Sequence, residues 1–535
     1  MGSKRVKVAD ISKDADKKLL ELSRSDLAEL PGVDEGDGKK EAFKDLTEKQ
    51  RESYEHALDG VCAVQIPKPK TKEEEEQLVE KFLAGLSKLL SKEDNWTFYQ
   101  QLMLTLENCV KCQTCNDACA IYLGSGKQDI YRPTFRSETL RKIVNKYLKK
   151  GGKTFAKFRG NDIELNWATI ARLAELAYRC TICRRCHTFC PMGVDNGLIT
   201  HELRKLFSEE MGIAAKELHQ SGTVQQLKVG ASTGISPLAF EDIIRFMEEE
   251  IEEKTGKKIK IPVDKKDADI LLVHNSGEYI SWLENPAAFA IIFEAVGLSW
   301  TLSSEAYGYE ATNYGVWYDD VQFSRIALKQ IEIARKLNVK KIVVGECGHA
   351  TKALVVIADR ILVDEMNFPR ESALPLLEDL VCNGKLKLDP TKNDFPVTLH
   401  DPCNMVRLMG IVEPQRRVLR KICPQFREMT PKGVDNYCCG GGSGFAVMSP
   451  MNFQDWRVTV SGRMKVKQIL DAFSDVTDPD IPKYVCAPCS NCKGQLRDLL
   501  AHYALTENQR IYYGGLVELI VNAMPDVKEP FIKWE

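Results

Sequence analysis

The spacing of apolar positions changes character along the chain. Residues 1–95 are mostly polar until the Pro67–Lys70 punctuation. Beyond it Thr71 and Glu74 stand at capping-box spacing, and Leu78, Phe82, Leu86, Leu89 and Leu90 share one helical face. A helix is predicted there, with Glu73–Glu76 as a solvated first turn that suits its dipole. From Trp96 to about Gly212, helical patterns alternate with clustered cysteines, and Ile170, Leu173, Leu176 and Ala177 run at helical spacing into Cys180. Residues 213–265 read as a helical connector ending in the charged stretch Glu248–Lys260. The period then shortens. Apolar runs at Asp269–His274, Lys341–Gly345, Val397–His400 and Tyr484–Cys486 alternate with helical segments such as Val321–Leu337 and Arg463–Phe473. That alternation is an α/β signature.

The α/β part carries a weak internal repeat. LLVHNSG (271–277) aligns with VTLHDPC (397–403), placing His274 on His400 and Gly277 on Cys403. ECGHATKAL (346–354) aligns with PCSNCKGQL (488–496), placing Cys347 on Cys489 and Ala350 on Cys492. The two alignments need different offsets, so a duplicated module with unequal insertions is expected. The predicted organisation is a polar helical extension (1–95), a helical module (96–212), the connector (213–265), and two α/β copies (266–385 and 386–535).

Composition narrows the function. With 535 residues, 44% hydrophobic and 28% charged, the chain fits several globular domains. A formal charge of -2 gives no whole-chain basic field for nucleic acid. The N-terminal sequence MGSKRVKVAD has no apolar h-region, and the longest apolar stretch, Pro286–Leu302, is interrupted by Glu294. A cytoplasmic chain without a membrane span is expected, one that meets a membrane only by docking. Eighteen cysteines, grouped in Cys-x-x-Cys runs, favour metal ligation over disulfides.

Two cysteine sets have the spacing C-x2-C-x2-C-x3-C: Cys109, Cys112, Cys115 and Cys119, then Cys180, Cys183, Cys186 and Cys190. This is two-cluster ferredoxin spacing, in which the fourth cysteine of each run reaches the other [4Fe–4S] cube. One cluster is expected on Cys109, Cys112, Cys115 and Cys190, the other on Cys180, Cys183, Cys186 and Cys119. Zinc also accepts four thiolates, but the repeated crossover spacing favours cubanes. Ala120 replaces the proline that usually follows the fourth cysteine, and His187 is expected to be a hydrogen-bonding neighbour rather than a ligand.

A third array comprises Cys403 in HDPC, Cys438 and Cys439 in YCCGGGSG, and Cys486, Cys489 and Cys492 in CAPCSNCKGQL. Gly440, Gly441 and Gly442 allow positive φ and close backbone approach beside a vicinal ligand pair, and their N–H groups suit an anionic cluster. This array resembles the cysteine-rich CCG domain of heterodisulfide reductases. Joined to a two-cluster module, it resembles their D-type subunit, and most of all the K subunit of Dsr membrane complexes, also described as the D subunit of Hme menaquinol-oxidising complexes.

The resemblance implies an α plus α/β fold: a helical two-[4Fe–4S] ferredoxin-type module followed by a duplicated α/β CCG domain. It implies a further cluster, of non-cubane type in some members, on Cys403, Cys438, Cys439, Cys489 and Cys492. Cys486 is left as an extra cysteine near that site. His400 is a candidate either to supply a proton or to donate a hydrogen bond to the cluster. The first copy has Gly277 where a ligand would stand and Tyr307-Gly308-Tyr309 in place of CCG, so no cluster is expected in 266–385. Cys347 with His349 is either a redox or proton-transfer pair or a buried strand-end turn. Cys62, Cys382 and Cys423 are expected to be packing residues.

The implied activity is reduction of a disulfide or trisulfide, on a small Dsr C-type sulfur carrier with redox cysteines, in dissimilatory sulfur metabolism. Electrons would come from a membrane haem b or quinol-interacting subunit. Two other readings stand beside it. One is the iron–sulfur subunit of a quinone-linked dehydrogenase for glycolate, lactate or glycerol 3-phosphate; no G-x-G-x-x-G follows a strand, so its flavin would lie on another chain. The other is a non-catalytic electron-wiring subunit.

Overall fold

In the computed structural model, the described residues are 5–33, 48, 57–61, 64–364, 367–448 and 456–534. Cys62 lies outside them. They form two compact units. The first takes its described residues from Met1–His219, Trp317–Asp320 and Gly440–Lys467. The second takes the remainder, Gln220–Val316, Val321–Cys439 and Gln468–Glu535.

The first unit is helical. The helix expected after Pro67 runs Lys72–Leu89 and buries Phe82, Leu86 and Leu89. Thr71 Oγ1 accepts from the Glu74 N–H at 3.2 Å, while the Glu74 carboxylate takes the Lys70 N–H, one residue earlier than a standard capping box. Glu75 departs from the solvated acidic run, because its carboxylate accepts the Trp167 N–H at 2.8 Å. That bond starts the helix Trp167–Ala177, which is buried throughout and capped by Asn166. Arg172 on this helix is itself buried, and its guanidinium donates to the carbonyls of Ile11, Asp14, Lys17 and Ala57. One cation thus gathers backbone carbonyls from two N-terminal stretches onto this helix.

The second unit holds two parallel sheets. The central strands are short, largely apolar runs buried on both faces, as parallel strands between helices require, while two edge strands are only half-buried. The first sheet contains β1 (Ile270–Val273), β2 (Trp300–Thr301), β3 (Lys341–Val344) and β4 (Arg370–Ser372), in the order β2-β1-β3-β4. The second contains β5 (Val397–Leu399), β6 (Phe426–Arg427), β7 (Lys483–Cys486) and β8 (Ile511–Gly514), in the order β6-β5-β7-β8. The two sheets share one topology, all pairings parallel, with Ile270 opposite Lys341 in one and Val397 opposite Tyr484 in the other. In each, strand order reverses between the two central strands, and the crevice beyond their carboxyl ends is where such sheets place ligands. The connector contains the helix Pro237–Thr255, capped by Ser236, and the helices expected at Val321–Leu337 and Arg463–Phe473 run Asp320–Lys336 and Arg463–Ala472. No helix among the described residues is long and apolar enough to cross a membrane.

Candidate iron–sulfur sites

The two ferredoxin-type loops adopt the same backbone. Lys111 and Gln113 have positive φ in the first, and Ile182 and Arg184, at the equivalent positions, have positive φ in the second. Non-glycine residues seldom adopt this conformation, and alternating it turns successive N–H groups toward one point, as an anionic cluster requires. The third cysteine of each set lies in a short helix, Thr114–Ala118 or Arg185–Thr188, and Cys119 caps the next, Ala120–Gly124.

The sulfur neighbourhoods cross over. Cys115 faces Cys109 and Cys190 as well as Cys119 and Cys112, and burial with those neighbours pushes its thiol up to about 12. Cys119 is likewise raised to about 12, first by burial, and it faces Cys183 and Cys180. Cys186 faces Cys183, Cys180 and Cys119. Crowded thiols of this kind are costly unless their protons are exchanged for metal, so the donor set fits two thiolate-ligated cubes. His187 Nδ1 is buried with no hydrogen-bond partner among the described residues, so the hydrogen bond expected of this side chain is not made at that nitrogen.

The third array gathers at the switch point of the second sheet. Leu399 ends β5, and His400, Asp401, Pro402 and Cys403 turn into the helix Cys403–Leu408. Cys486 ends β7, and Cys489 caps the helix Ser490–His502, which carries Cys492 in its first turn. His400, Cys439 and Cys492 are buried with their ligand atoms within 4.8 Å of one another. The Cys492 thiol hydrogen-bonds both Cys439 and Cys489, which raises it. Cys489 is lowered by hydrogen bonds from Cys347 and Cys492 and also accepts the Gly348 N–H at 3.3 Å. The chain of contacts runs Cys347, Cys489, Cys492, Cys439, His400. Every atom in it is a soft sulfur or an imidazole nitrogen, and such a set fits an iron–sulfur group far better than a hard cation.

Other expected residues take different places. Cys403 is partly exposed at the start of its helix, and Cys438 is buried beside Cys439. Gly440 has φ +95°, and a Cβ there would lie 2.5 Å from Gly462 Cα, so only glycine fits. A Cβ at Gly442 would lie 2.9 Å from the Thr181 carbonyl. Cys486 faces Cys423, Glu346 and Glu518 rather than the sulfur chain, although its carbonyl accepts the His400 N–H at 2.8 Å. Cys423 is buried in the core and Cys382 partly exposed.

Cys347 caps the short helix Gly348–Thr351 through Ala350 N–H and, by touching Cys489, joins the sulfur chain. Burial holds His349 as a neutral imidazole, lowered to about 3. Tyr307 and Tyr309 pack as structural aromatics: the Tyr309 ring stacks on Phe240 at 4.2 Å, and the Tyr307 hydroxyl donates to the Leu227 carbonyl.

Behind the site lies a buried ionic group that periodicity and motif spacing do not announce. Lys493, next to Cys492, lies 3.9 Å from Glu278 and 3.7 Å from Glu518, with its ammonium over the Trp282 ring. Ser490 donates to Glu278 at 2.7 Å. Glu346, next to Cys347, accepts from Asn285 and from the N–H groups of Leu516 and Val517, yet burial pushes its carboxyl up to about 8. A second such pair fixes the β5 turn: Arg416 clasps Asp401 through both guanidinium nitrogens at 2.7 and 2.5 Å, and Asp401 also accepts the Gly433 N–H. The one sequence signal for these groups is a charge directly beside a ligand-type cysteine, as in Glu346-Cys347 and Cys492-Lys493.

Comparison with known proteins agrees with this geometry. Residues 105–194 match a 4Fe-4S dicluster domain and residues 397–497 a cysteine-rich CCG domain. The chain is 26% identical to the Hdr-like menaquinol oxidoreductase iron-sulfur subunit 2 of Archaeoglobus fulgidus, covering 83% of each chain. It is 24% identical to the D subunit of the dihydromethanophenazine:CoB–CoM heterodisulfide reductase of Methanosarcina acetivorans, covering 74% of this chain and 89% of that one. It is 23% identical to the EtfAB:quinone oxidoreductase of Syntrophomonas wolfei, covering 79% and 58%. The dicluster domain carries two [4Fe–4S] clusters and the cysteine-rich domain a further iron–sulfur cluster. With those two domains in that order, and relatives aligned over most of its length, the chain is similar to iron–sulfur subunits of the heterodisulfide reductase D type.

Proposed function

We propose that this chain is the catalytic iron–sulfur subunit of a membrane-associated, heterodisulfide-reductase-like complex. In this reading it takes electrons from a quinol- or haem-bearing membrane partner and reduces a disulfide or trisulfide, held on a small sulfur-carrier protein of the Dsr C type, in dissimilatory sulfur metabolism. The observation that carries the reading is the buried sulfur chain from Cys347 to Cys439 at the carboxyl ends of β3, β5 and β7, with one imidazole at its end. A site built only for conduction has no need of an extra thiol beside its ligands.

In the proposed assignment Cys109, Cys112, Cys115 and Cys190 hold one cubane, and Cys180, Cys183, Cys186 and Cys119 the other. Cys403, Cys438, Cys439, Cys489 and Cys492 hold the third cluster, of non-cubane type, while the first α/β copy holds none. When bound, that cluster supplies one-electron storage and iron able to bind a thiolate. Reduction of R–S–S–R′ consumes two electrons and two protons and gives two thiols. In this reading His400 holds a proton or a hydrogen bond at the sulfur chain, supported by its nearness to Cys439 and Cys492. The fixed Asp401–Arg416 pair orients the turn that presents it. Gly440 and Gly442 keep the backbone beside the vicinal cysteines free of side chains.

The test is anaerobic. The purified chain should carry on the order of 12 iron with three four-iron clusters, and more with a larger third cluster. Addition of a thiol or disulfide substrate to the oxidised protein should produce a new paramagnetic signal. Persistence of that signal in the Cys438→Ser/Cys439→Ser variant would remove the CCG site as the substrate site. The likeness to an EtfAB:quinone oxidoreductase keeps a second reading, the iron–sulfur subunit of a quinone-linked hydroxyacid or glycerol 3-phosphate dehydrogenase. Co-purification with a flavoprotein, and no sulfur-dependent signal, would favour it.

A further inference from the structure

Between Glu138 and Asp162 the chain carries eight basic residues and no carboxylate, although it is nearly neutral as a whole with 74 basic and 76 acidic residues. Within this stretch Lys149, Lys150, Lys153, Lys157 and Arg159 are exposed. None of these five lies within ion-pair distance of a carboxylate among the described residues. Two aromatic rings accompany them. Phe158 is 93% exposed and Phe155 51% exposed, whereas Ala156 between them is buried.

The segment is built to hold this arrangement. Gly152 N–H bonds the Lys149 carbonyl at 2.9 Å, and a Cβ at Gly152 would lie 2.2 Å from the Asn145 carbonyl, so the turn closes only around glycine. A single helical turn follows, with Arg159 N–H on the Phe155 carbonyl at 3.0 Å and Asn161 N–H on the Ala156 carbonyl at 2.7 Å. Behind it Lys146 donates to the Ile163 carbonyl at 2.6 Å, and Tyr147 accepts the Leu165 N–H at 3.0 Å. Ala156 is buried while both phenylalanines and the cations are exposed, with Arg159 lying over the Phe155 ring at 5.3 Å and Lys153 over the Tyr147 ring at 5.6 Å.

Exposed phenylalanines held on a turn are costly in water and gain free energy where an apolar layer meets anionic groups. A bilayer surface offers both at once: anionic headgroups attract clustered lysines within a Debye length, and aromatic rings enter the headgroup boundary. A nucleic-acid site would instead recess its rings along a groove as stacking platforms. We propose that the turn 149–159 contacts anionic lipid directly, with Phe155 and Phe158 in the headgroup boundary and the five cations on lipid phosphates. The helix Pro133–Ile143 leads into this segment, and Glu138 on it pairs with Lys111 of the first cysteine loop at 3.3 Å. The lipid contact is thereby linked to the dicluster module, the part of the chain that would receive electrons from a membrane donor. This inference depends on no cluster chemistry and survives failure of the disulfide-reductase reading.

The test is flotation of the full chain, clusters intact, with vesicles of phosphatidylcholine alone or of an equal mixture with phosphatidylglycerol. Binding should favour the mixed vesicles by at least about tenfold and be released by high salt. Phe155→Ala/Phe158→Ala should weaken it by about tenfold, and Lys149→Glu/Lys150→Glu/Lys153→Glu/Lys157→Glu should abolish it. Both variants alter exposed side chains and should keep wild-type iron content and absorbance, which separates lost binding from lost folding. Equal binding to neutral vesicles overturns the proposal, as does flotation of the charge-reversed variant. Absence of flotation overturns it as well, including the case where the turn instead retains RNA or polyglutamate.

Discussion

The thiol of Cys347, beyond the carboxyl end of β3, hydrogen-bonds the thiol of Cys489, beyond the carboxyl end of β7. The sequence alignment of 346–354 with 488–496 pairs these two cysteines, and the fold brings them into contact. Cys347 therefore touches a proposed ligand without being one of the five. Replacing it with serine should leave iron content unchanged and lower substrate turnover by about ten- to a hundredfold, the usual cost of disturbing a ligand's partner. Iron analysis with substrate-dependent paramagnetic resonance checks this; loss of iron would make Cys347 a ligand.

The crossover of the ferredoxin-type loops gives a sharper expectation. Cys119 faces Cys183 and Cys180 of the other loop as well as Cys115 of its own. Cys119→Ser should cost about four iron, and the cube lost should be the one nucleated by Cys180, Cys183 and Cys186. Spectra of Cys119→Ser and Cys183→Ser should then show the same surviving cubane. If Cys119→Ser instead matches Cys112→Ser, the runs do not cross.

Glu346 makes stability depend on pH. Burial moves its carboxyl from 4.5 to about 8. Between those values the folded chain keeps a proton that the unfolded chain has released, so stability falls as pH rises through the window. The slope from this one group is at most about 1.4 kcal/mol per pH unit. Glu346→Gln should remove that component, and urea unfolding at several pH values across the window measures it. An unchanged slope in the variant would mean that Glu346 is ionised in the folded protein.

The Asp401–Arg416 pair is fully buried and doubly hydrogen-bonded. Arg416→Met leaves the Asp401 carboxylate buried without its cation, which should cost about 3–5 kcal/mol. Urea denaturation should register the loss, and iron at the third site should fall with it, because Asp401 lies between His400 and Cys403. A variant as stable as wild type would show that the turn holds without the ion pair.

The cysteines are the most legible feature of this sequence, because metal ligation imposes fixed spacings that survive without any knowledge of the fold. The central strands are legible for a similar reason: β1 is ILLV and β3 is KIVV, short runs that parallel sheets require. The buried ions are not. Lys493 and Glu278 lie in helical segments where charges ordinarily mark a solvent face, and their burial depends on a polar cluster assembled from chain-distant residues. Glu75 is hidden in the same way, as one acid of a run that recruits a backbone N–H from Trp167. Cys347 stands out in the sequence, but only the fold brings it to Cys489.

The segment Gly440–Lys467 belongs to the helical unit, although by sequence it lies inside the cysteine-rich domain. Its Trp456 donates to the Tyr131 hydroxyl at 3.1 Å and lies under the Arg179 guanidinium, which in turn clasps Asp59. The cysteine-rich domain is therefore not a free-standing cassette. A gene fragment beginning near residue 386 would encode a tryptophan whose neighbours were left behind. Recombination that paired this domain with a foreign dicluster module would have to carry compatible residues at 59, 131 and 179. The segment 440–467 thus ties part of the cysteine-rich domain's sequence to Asp59, Tyr131 and Arg179, and these residues are expected to have diverged together rather than separately.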